Sequence, residues 1–168
     1  MESRENASLD VHQDWALSLF MPVELLPLRG DRASLLSKVN QLPVSSLAYL
    51  GDAVYELFVR LHCLLPPKRS NDYHNSVVAK VRAEAQASYV AYLEPNLTQV
   101  ELDVLRRGRN AASGGPKRLV GDVYQRATSF ETLVGYLYLT DPTRLAGLLR
   151  LLPNVCAAQA QSPDLDQI

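Results

Sequence analysis

The sequence predicts an all-α fold in a single domain, on three observations. The chain has 168 residues, near the usual size of one domain, with 47% hydrophobic and 21% charged residues, as in ordinary globular proteins. Prolines divide the chain from Pro43 to Pro153 into five long intervals of 10 to 27 residues. Those lengths suit one or two helices each and not a set of short strands. The residues within them are mostly Ala, Leu, Val, Arg, Glu and Gln.

Six helices are predicted, one before Pro43 and five between Pro43 and Pro153. Thr98 and Glu101 have the spacing of a capping box that begins a helix, and Gly108 or Asn110 is suited to end it. The predicted helices cover residues 31–40, 44–65, 75–93, 98–110, 118–140 and 142–152. We expect one domain over residues 31–153, preceded by a partly ordered N-terminal extension at 1–30 and followed by a polar tail at 154–168.

Several classes of protein are disfavoured by composition. The two cysteines are too few for a disulfide scaffold or a four-ligand zinc site, and the three histidines are widely spaced. No serine or cysteine has a histidine at a spacing typical of nucleophilic catalysis. The sequence has no apolar run long enough for a membrane helix and no signal-peptide pattern at its acidic N-terminus. We therefore expect a cytoplasmic protein without a membrane partner.

The net charge of −1 conceals a basic middle segment. Residues 66–126 hold ten Lys or Arg against six Asp or Glu, whereas both flanking segments are acidic. The densest basic cluster consists of Arg106, Arg107, Arg109, Lys117 and Arg118. This pattern fits a surface that binds a polyanion, and it fits equally well a loop and helix ends that are simply solvated.

Two acidic residues lie one turn apart on the predicted helix 44–65. That helix is apolar on one side and largely apolar or aromatic on the other, so we expect it to be buried all round. Asp52 and Glu56 would then repel each other by roughly 4 kcal/mol at 4 Å and an effective dielectric of 20. A bound cation would relieve the repulsion, and an ion pair between Glu56 and Arg60 is the structural alternative.

A third carboxylate lies on another helix that is apolar nearly all round. Glu131 is the sole acidic residue between Asp122 and Asp141, and small Ala127 and Gly135 leave room beside it. Two buried helices that each present an acidic residue suggest carboxylates converging on one hard cation. Oxygen ligands with several retained waters fit Mg²⁺ better than zinc.

Four segments of the chain resemble the catalytic domain of the ribonuclease III family. LAYLGDAVYE (residues 47–56) and FETLVGYLYL (130–139) resemble its paired acidic motifs. RRGRNAASGGPK (106–117) and KVRAEAQA (80–87) are similar to segments of its short branch, Mini-ribonuclease III. The likeness covers about residues 43–150, and the motifs occur in the family's order.

The resemblance implies that Asp52 and Glu131 are catalytic and bind Mg²⁺, for which Mn²⁺ can substitute. Longer family members carry acidic residues at the positions of Ser45, Ala48 and Thr128, and the short branch shares their loss. Water, Thr128 or Glu56 would complete the metal's ligands. Glu56 is therefore a third candidate ligand, and a structural role for it is an equal alternative.

The resemblance also implies an endonuclease that cuts double-stranded RNA and leaves 5′ phosphates and short 3′ overhangs. It implies a homodimer with helix 44–65 at the interface, and precursor large-subunit (23S) ribosomal RNA as substrate, with a ribosomal protein assisting. We expect no separate RNA-binding domain after the last helix, so the catalytic domain itself would hold the duplex. The candidate RNA-binding residues are Arg106, Arg107, Arg109, Asn110 and Lys117, with Lys80, Arg82 and His74 as weaker candidates.

A non-catalytic alternative uses the same fold. The chain would then be a helical module that binds ribosomal RNA or a ribosomal protein. The presence of both Asp52 and Glu131 favours the nuclease, because a binding module has no need of converging carboxylates.

Overall fold

A computed structural model describes residues 31–112 and 121–153, and within these ranges the chain is entirely helical. This confirms the predicted all-α class. The elements are α1 (Arg32–Gln41), α2 (Val44–Cys63), α3 (Ser70–Val81), α4 (Ala83–Leu93), a short 3₁₀ helix (Glu94–Asn96), α5 (Gln99–Ala111), α6 (Gly121–Thr140) and α7 (Pro142–Arg150). The predicted extension at 1–30, the tail at 154–168, the residues 118–120 that were expected to begin the fifth helix, and Lys117 lie outside the described residues.

Helix α6 is the centre of the domain. Helices α2, α4 and α5 pack around it, and α1 and α7 contact it as well. From Thr132 to Leu139 every residue of α6 is buried, which confirms the prediction that this helix is apolar nearly all round. Glu131 directly precedes this buried stretch and is itself half-buried.

Four aromatic rings occupy the core where α2, α4 and α6 meet. The Tyr55 ring packs edge-on against Phe130, with ring centroids 4.9 Å apart, and also contacts Phe58 and Tyr89. All four side chains are buried. Edge-to-face packing of this kind adds about 0.5–1.5 kcal/mol per pair beyond the area buried, so it fixes the relative position of the helices that carry the acidic residues.

The single helix predicted over residues 75–93 is two helices. Arg82 takes an extended conformation (φ −63°, ψ 151°) and separates α3 from α4. Since α3 packs on α2 whereas α4 packs on α6, one straight helix could not make both contacts. The Tyr55 hydroxyl donates a 3.3 Å hydrogen bond to the carbonyl of Lys80, near the end of α3. Tertiary packing produces this break at a position without proline or glycine.

The predicted capping box at the start of α5 is confirmed. Thr98 Oγ1 accepts from the backbone N–H of Glu101, and the Glu101 side chain accepts from the N–H of Thr98 at 2.7 Å. Glu101 is only 4% exposed and also accepts two hydrogen bonds from Arg144, at 2.8 and 3.0 Å. The same carboxylate therefore begins α5 and ties it to α7.

One expectation for α2 is wrong for the single chain. Its inner face is buried, but Leu57 and Leu61 are 44% and 48% exposed and Tyr49 is 84% exposed. Leu64 and Leu65, which follow the helix, are also exposed. The helix is therefore apolar on both sides but covered on one.

Within residues 31–112 and 121–153, no helix combines the length and apolar character needed to cross a bilayer.

Candidate active site

Two glycines allow α2 and α6 to cross in backbone contact. A Cβ atom added to Gly51 would lie 1.8 Å from the carbonyl oxygen of Glu131, a distance that no side chain tolerates. Gly135, one turn after Glu131, lies against α2 in the same way. Because Asp52 directly follows Gly51, this contact brings Asp52 and Glu131 to the same crossing. The structure thus unites the two residues predicted to be catalytic.

The negative charge of Asp52 acts on the carboxyl group of Glu131. Burial, and then the negative charge of Asp52, raise the pKa of Glu131 to about 7, against a lowering contribution from Gln86. Burial and the charge of Glu56 raise the pKa of Asp52 above its ordinary value, and Gln86 again acts in the opposite direction. Both residues are half-buried, so solvent reaches the pair. The site is a small, partly dehydrated region of negative charge.

The donor set fits a hard divalent cation. Among residues 31–112 and 121–153, neither Asp52 nor Glu131 forms an ion pair with a lysine or arginine, although five ion pairs occur elsewhere in those ranges. Nor does that part of the chain contain a group of three or more His, Cys, Asp or Glu placed to hold a metal. Two carboxylates without a counter-charge match Mg²⁺, which keeps several waters when it binds to proteins.

Glu56 forms the ion pair with Arg60 that was the structural alternative to a role as metal ligand. Arg60, one turn later, donates to Glu56 Oε1 through Nη2, and through Nε at 3.0 Å. The Glu56 carboxylate nonetheless contributes to the raised pKa of Asp52. The pairing with Arg60 occupies the side chain, and its role as a ligand stays a prediction.

Thr128, one turn before Glu131, is half-buried, and its carbonyl accepts from the Thr132 hydroxyl at 2.7 Å.

Gln86 is a site residue that sequence reasoning missed. It lies on α4, is 1% exposed, and interacts with the carboxyl groups of both Asp52 and Glu131. The available signal was a long polar side chain within the alanine-rich stretch AEAQA, where a buried helix face would ordinarily carry Leu or Val.

Two of the predicted RNA-binding arginines share a cavity with a third arginine. Arg106 and Arg109 of α5 and Arg126 of α6 line a cavity between α4, α5 and α6. Its other lining residues are Val90, Glu94, Leu102, Leu105 and Ser129. We call this the arginine cavity. Sequence reasoning missed Arg126, although it lies one turn after Asp122 in the basic middle segment.

Nearby acids partly offset this positive charge. Arg106 pairs with Asp103 at 2.9 Å and Arg109 with Asp122 at 2.6 Å. The buried Nε of Arg126 lies 2.9 Å from the Asp122 carboxylate, within ion-pair distance but without the geometry of a hydrogen bond. Exposed pairs of this kind contribute little energy, and phosphate groups can replace the acids at small cost.

Among the described residues, the remaining candidates for RNA binding do not line the arginine cavity. Arg107 is half-buried and Asn110 exposed, both on α5. His74 and Lys80 lie on α3 and Arg82 at the break after it, with His74 and Arg82 exposed. The structure therefore groups only part of the predicted set.

This all-helical domain, with two carboxylates at a glycine crossing, is similar in sequence to a known class of nuclease domains. The family model for the ribonuclease III domain matches residues 45–142. The chain belongs to the ribonuclease III family and is an endoribonuclease.

Similarity to curated proteins locates the chain within this family. It is 56% identical over 135 residues to Mini-ribonuclease 3 from a Synechococcus species, covering 80% of this chain and 97% of that protein. Mini-ribonuclease 3 from Thermosynechococcus vestitus is 53% identical over 139 residues, covering 83% and 89% of the two chains. The chain falls in the Mini-ribonuclease 3 branch, as its motifs suggested.

A solved structure supports the fold alone. A crystal structure of a protein from Fusobacterium nucleatum superimposes with a TM-score of 0.62 at 24% identity. The match covers 66% of this chain and 92% of the other. The arrangement of helices is thus one that an experimentally determined protein adopts.

Proposed function

We propose that this chain is a Mg²⁺-dependent endonuclease that cleaves double-stranded RNA, with residues 31–153 as the catalytic domain. The convergence of Asp52 and Glu131 at the crossing of α2 and α6 carries the proposal, because it gathers negative charge where the described part of the chain supplies no cation. Membership of the ribonuclease III family supports the same reaction.

Asp52 and Glu131 would hold the metal ion. When bound, Mg²⁺ or Mn²⁺ polarises the scissile phosphate and helps to form the attacking hydroxide. The protein's own contribution is to keep both carboxylates ionised and directed to one point. Since the pKa of Glu131 is about 7 in the metal-free chain, a substantial part of that carboxyl is protonated at neutral pH. Cation binding must then release that proton, so affinity for the ion rises with pH.

The products would carry 5′ phosphates.

The arginine cavity is the preferred RNA contact. Arg106, Arg109 and Arg126 supply three guanidinium groups in one place, and guanidinium binds phosphate oxygens in a bidentate manner. Arg107, Asn110, Lys117, Lys80, Arg82 and His74 would extend the basic surface. Recognition of A-form RNA rests mainly on phosphate and 2′-hydroxyl contacts, which this set can provide without reading bases.

A homodimer would bury the uncovered side of α2. Leu57, Leu61, Leu64 and Leu65 form an apolar surface on and just after this helix, next to exposed Tyr49. A surface of several exposed leucines is typical of an interface between proteins. We expect Leu61→Glu to yield a monomer in sedimentation experiments, while Leu151→Glu, at a leucine 43% exposed elsewhere, stays dimeric. A dimeric Leu61→Glu protein would place the interface elsewhere.

The proposed biological substrate is precursor 23S ribosomal RNA in the cytoplasm, with a ribosomal protein assisting. The basis is the similarity to the Mini-ribonuclease 3 branch. Sequencing of the 5′ and 3′ ends of 23S ribosomal RNA in cells that lack the protein tests this. Unprocessed ends support the proposal, and normal ends would mean that the enzyme acts on another RNA.

The activity is tested with purified protein and a long RNA duplex. We expect cleavage with Mg²⁺, none with EDTA, and a loss of at least a thousandfold in kcat/KM for Asp52→Asn and for Glu131→Gln. Circular dichroism verifies that each variant remains folded. Glu56→Gln is the matched control and should retain most activity, because Arg60 occupies that carboxylate.

The same assay separates the nuclease from the non-catalytic alternative. A protein that binds the duplex tightly but leaves it intact in Mg²⁺ and in Mn²⁺ would be a binding module on the same fold. Full cleavage by Asp52→Asn would remove that residue from the mechanism.

A further inference from the structure

The buried side chain of Gln86 interacts with two carboxyl groups that come from different helices. It projects from α4, whereas Asp52 is on α2 and Glu131 on α6. Its amide interacts with both carboxyl groups and makes each of them easier to ionise. Among the described residues, no other uncharged side chain affects both members of the pair in this way.

The amide nitrogen of Gln86 has no conventional partner. The residue is 1% exposed, and its Nε2 makes no hydrogen bond of normal length and angle within the described structure. In the metal-free chain this nitrogen is therefore a buried donor that is available to the two carboxyl groups it acts on. A buried donor without a partner destabilises the folded chain, so packing alone does not account for a glutamine here. An apolar side chain of the same size would fill the space without that cost.

We propose that Gln86 is a positioning residue, whose side-chain NH₂ group holds the carboxylates of Asp52 and Glu131 in the orientation from which they bind a divalent cation. The role of the cation rests on the proposed function, whereas the burial of Gln86 and its unpartnered Nε2 are features of the structure itself. One NH₂ group has two hydrogens and can donate to both carboxylates at once. A lysine in this place would neutralise the pair and compete with the cation. A neutral donor orients the two groups and leaves their charge for the metal.

The decisive variant is Gln86→Met, which has a similar shape and good helix propensity but no donor. Calorimetric titration with Mg²⁺ alone measures its effect on the site without RNA or catalysis. Residues that orient metal ligands typically change affinity by 10–100-fold, and we expect Mg²⁺ binding to weaken at least tenfold. At saturating Mg²⁺, kcat should recover towards the wild-type value and KM for duplex RNA should stay unchanged.

Thr132→Val is the matched control. Thr132 follows Glu131 directly, is 1% exposed, and bonds to the carbonyl of Thr128. The substitution therefore removes a buried hydrogen bond beside the site without touching the carboxylates. We expect its Mg²⁺ affinity to remain within twofold of wild type. Equal losses of affinity in both variants would mean that any damage to the core acts on the site, and would overturn the specific role of Gln86.

A second measurement keeps the inference testable if Gln86→Met does not fold. In ¹⁵N NMR spectra of the metal-free protein, the side-chain amide signals of Gln86 should shift in both Asp52→Asn and Glu131→Gln, and they should shift far less in Glu56→Gln, which acts on the amide only through the ionisation of Asp52. Signals insensitive to the first two variants would overturn the proposal. If the wild-type protein neither binds Mg²⁺ nor cleaves RNA, the proposed function fails, and the amide signals still report independently on the contact.

Discussion

Gly135 lies directly against the backbone of Leu47: a Cβ atom at position 135 would be 2.1 Å from the Leu47 carbonyl oxygen. The corresponding contact from the other helix joins Gly51 to Glu131. These two contacts set the distance between α2 and α6. They also set the distance between Asp52 and Glu131, because each acid is within one turn of a contact glycine.

Gly135→Ala should therefore separate the two helices. Backbone atoms cannot yield as a flexible side chain does, so we expect a loss of about 3 kcal/mol in the free energy of unfolding, at the upper end for overpacking. Urea denaturation of the purified protein measures it. Gly147→Ala, on α7 where a Cβ would meet nothing within 4 Å, is the matched control. We expect it to stabilise the chain by about 0.5–1 kcal/mol. Equal stability of both variants would contradict a close helix crossing.

The stability of the metal-free protein should fall as the pH rises towards neutrality. The pKa of Glu131 is about 7 in the folded chain and 4.5 in the unfolded reference. Between those values the folded state holds the proton more tightly, so each step to higher pH favours unfolding. Solvent exposure of the carboxyl reduces the effect, and we expect a decrease on the order of 2 kcal/mol from pH 4.5 to pH 8. Asp52, whose pKa is also raised, acts in the same direction.

Thermal unfolding in EDTA across this pH range measures the decrease. Glu131→Gln should make the stability depend less on pH, and this variant should be more stable than wild type at pH 8 without metal. Addition of Mg²⁺ should stabilise the wild type at pH 8 and leave the variant unchanged, because a ligand that binds only the folded state raises its stability. A wild-type protein whose stability rises continuously from pH 5 to pH 8 in EDTA would show that the pair is not destabilising.

Arg144→Met should destabilise the fold without involving the active site. Arg144 donates to both oxygens of Glu101 and, at 2.6 Å, to the carbonyl of Asn96. Although burial opposes ionisation of Glu101, the hydrogen bonds from Arg144 and Thr98 lower its pKa below the ordinary value. Loss of Arg144 leaves a nearly buried carboxylate without its cation, and we expect a cost of about 3 kcal/mol in urea denaturation.

Arg106→Met is the control for that measurement. Its partner Asp103 is solvated, so the change in unfolding free energy should stay within about 0.5 kcal/mol. In the wild type, the stability that the ionised Glu101 carboxylate contributes should be lost as the pH falls through the lowered pKa of that carboxyl. If Arg144→Met and Arg106→Met lost the same unfolding free energy, the ion pair that joins α5 to α7 would contribute no more to stability than a solvated ion pair does.

The features predictable from sequence are those encoded within one helix. The apolar character of α6, the capping box at Thr98, and the isolated acids Asp52 and Glu131 follow from local pattern. The proximity of Asp52 and Glu131 was inferred because both helices were predicted to be buried. The glycine contacts between α2 and α6 explain that proximity. The pairing of Glu56 with Arg60 was also a visible alternative, since it lies one turn along the same helix.

The features that sequence could not give depend on contacts between helices. The break at Arg82 arises because α3 and α4 pack on different partners, and no proline or glycine marks it. Gln86 reads as one polar residue among alanines until α4 is placed against α6. The exposed leucines of α2 look like core residues in a single sequence, because an uncovered apolar face and a buried one have the same pattern.

The arginine cavity leads to a final prediction on RNA binding. Arg126 lies on α6, within the arginine cavity that Arg106 and Arg109 also line, and its side chain is 41% exposed, so its guanidinium can exchange Asp122 for a phosphate. Arg126→Gln should weaken binding of duplex RNA about threefold to tenfold. It should also make the dependence of log affinity on log salt shallower by nearly one unit, because each lost phosphate contact removes about that much. Filter binding in Ca²⁺ with a catalytically inactive Asp52→Asn background measures both quantities. Arg150→Gln, at an exposed position at the end of α7, should leave affinity and salt slope unchanged. An Arg126→Gln protein with the wild-type salt slope would show that the duplex does not reach this cavity.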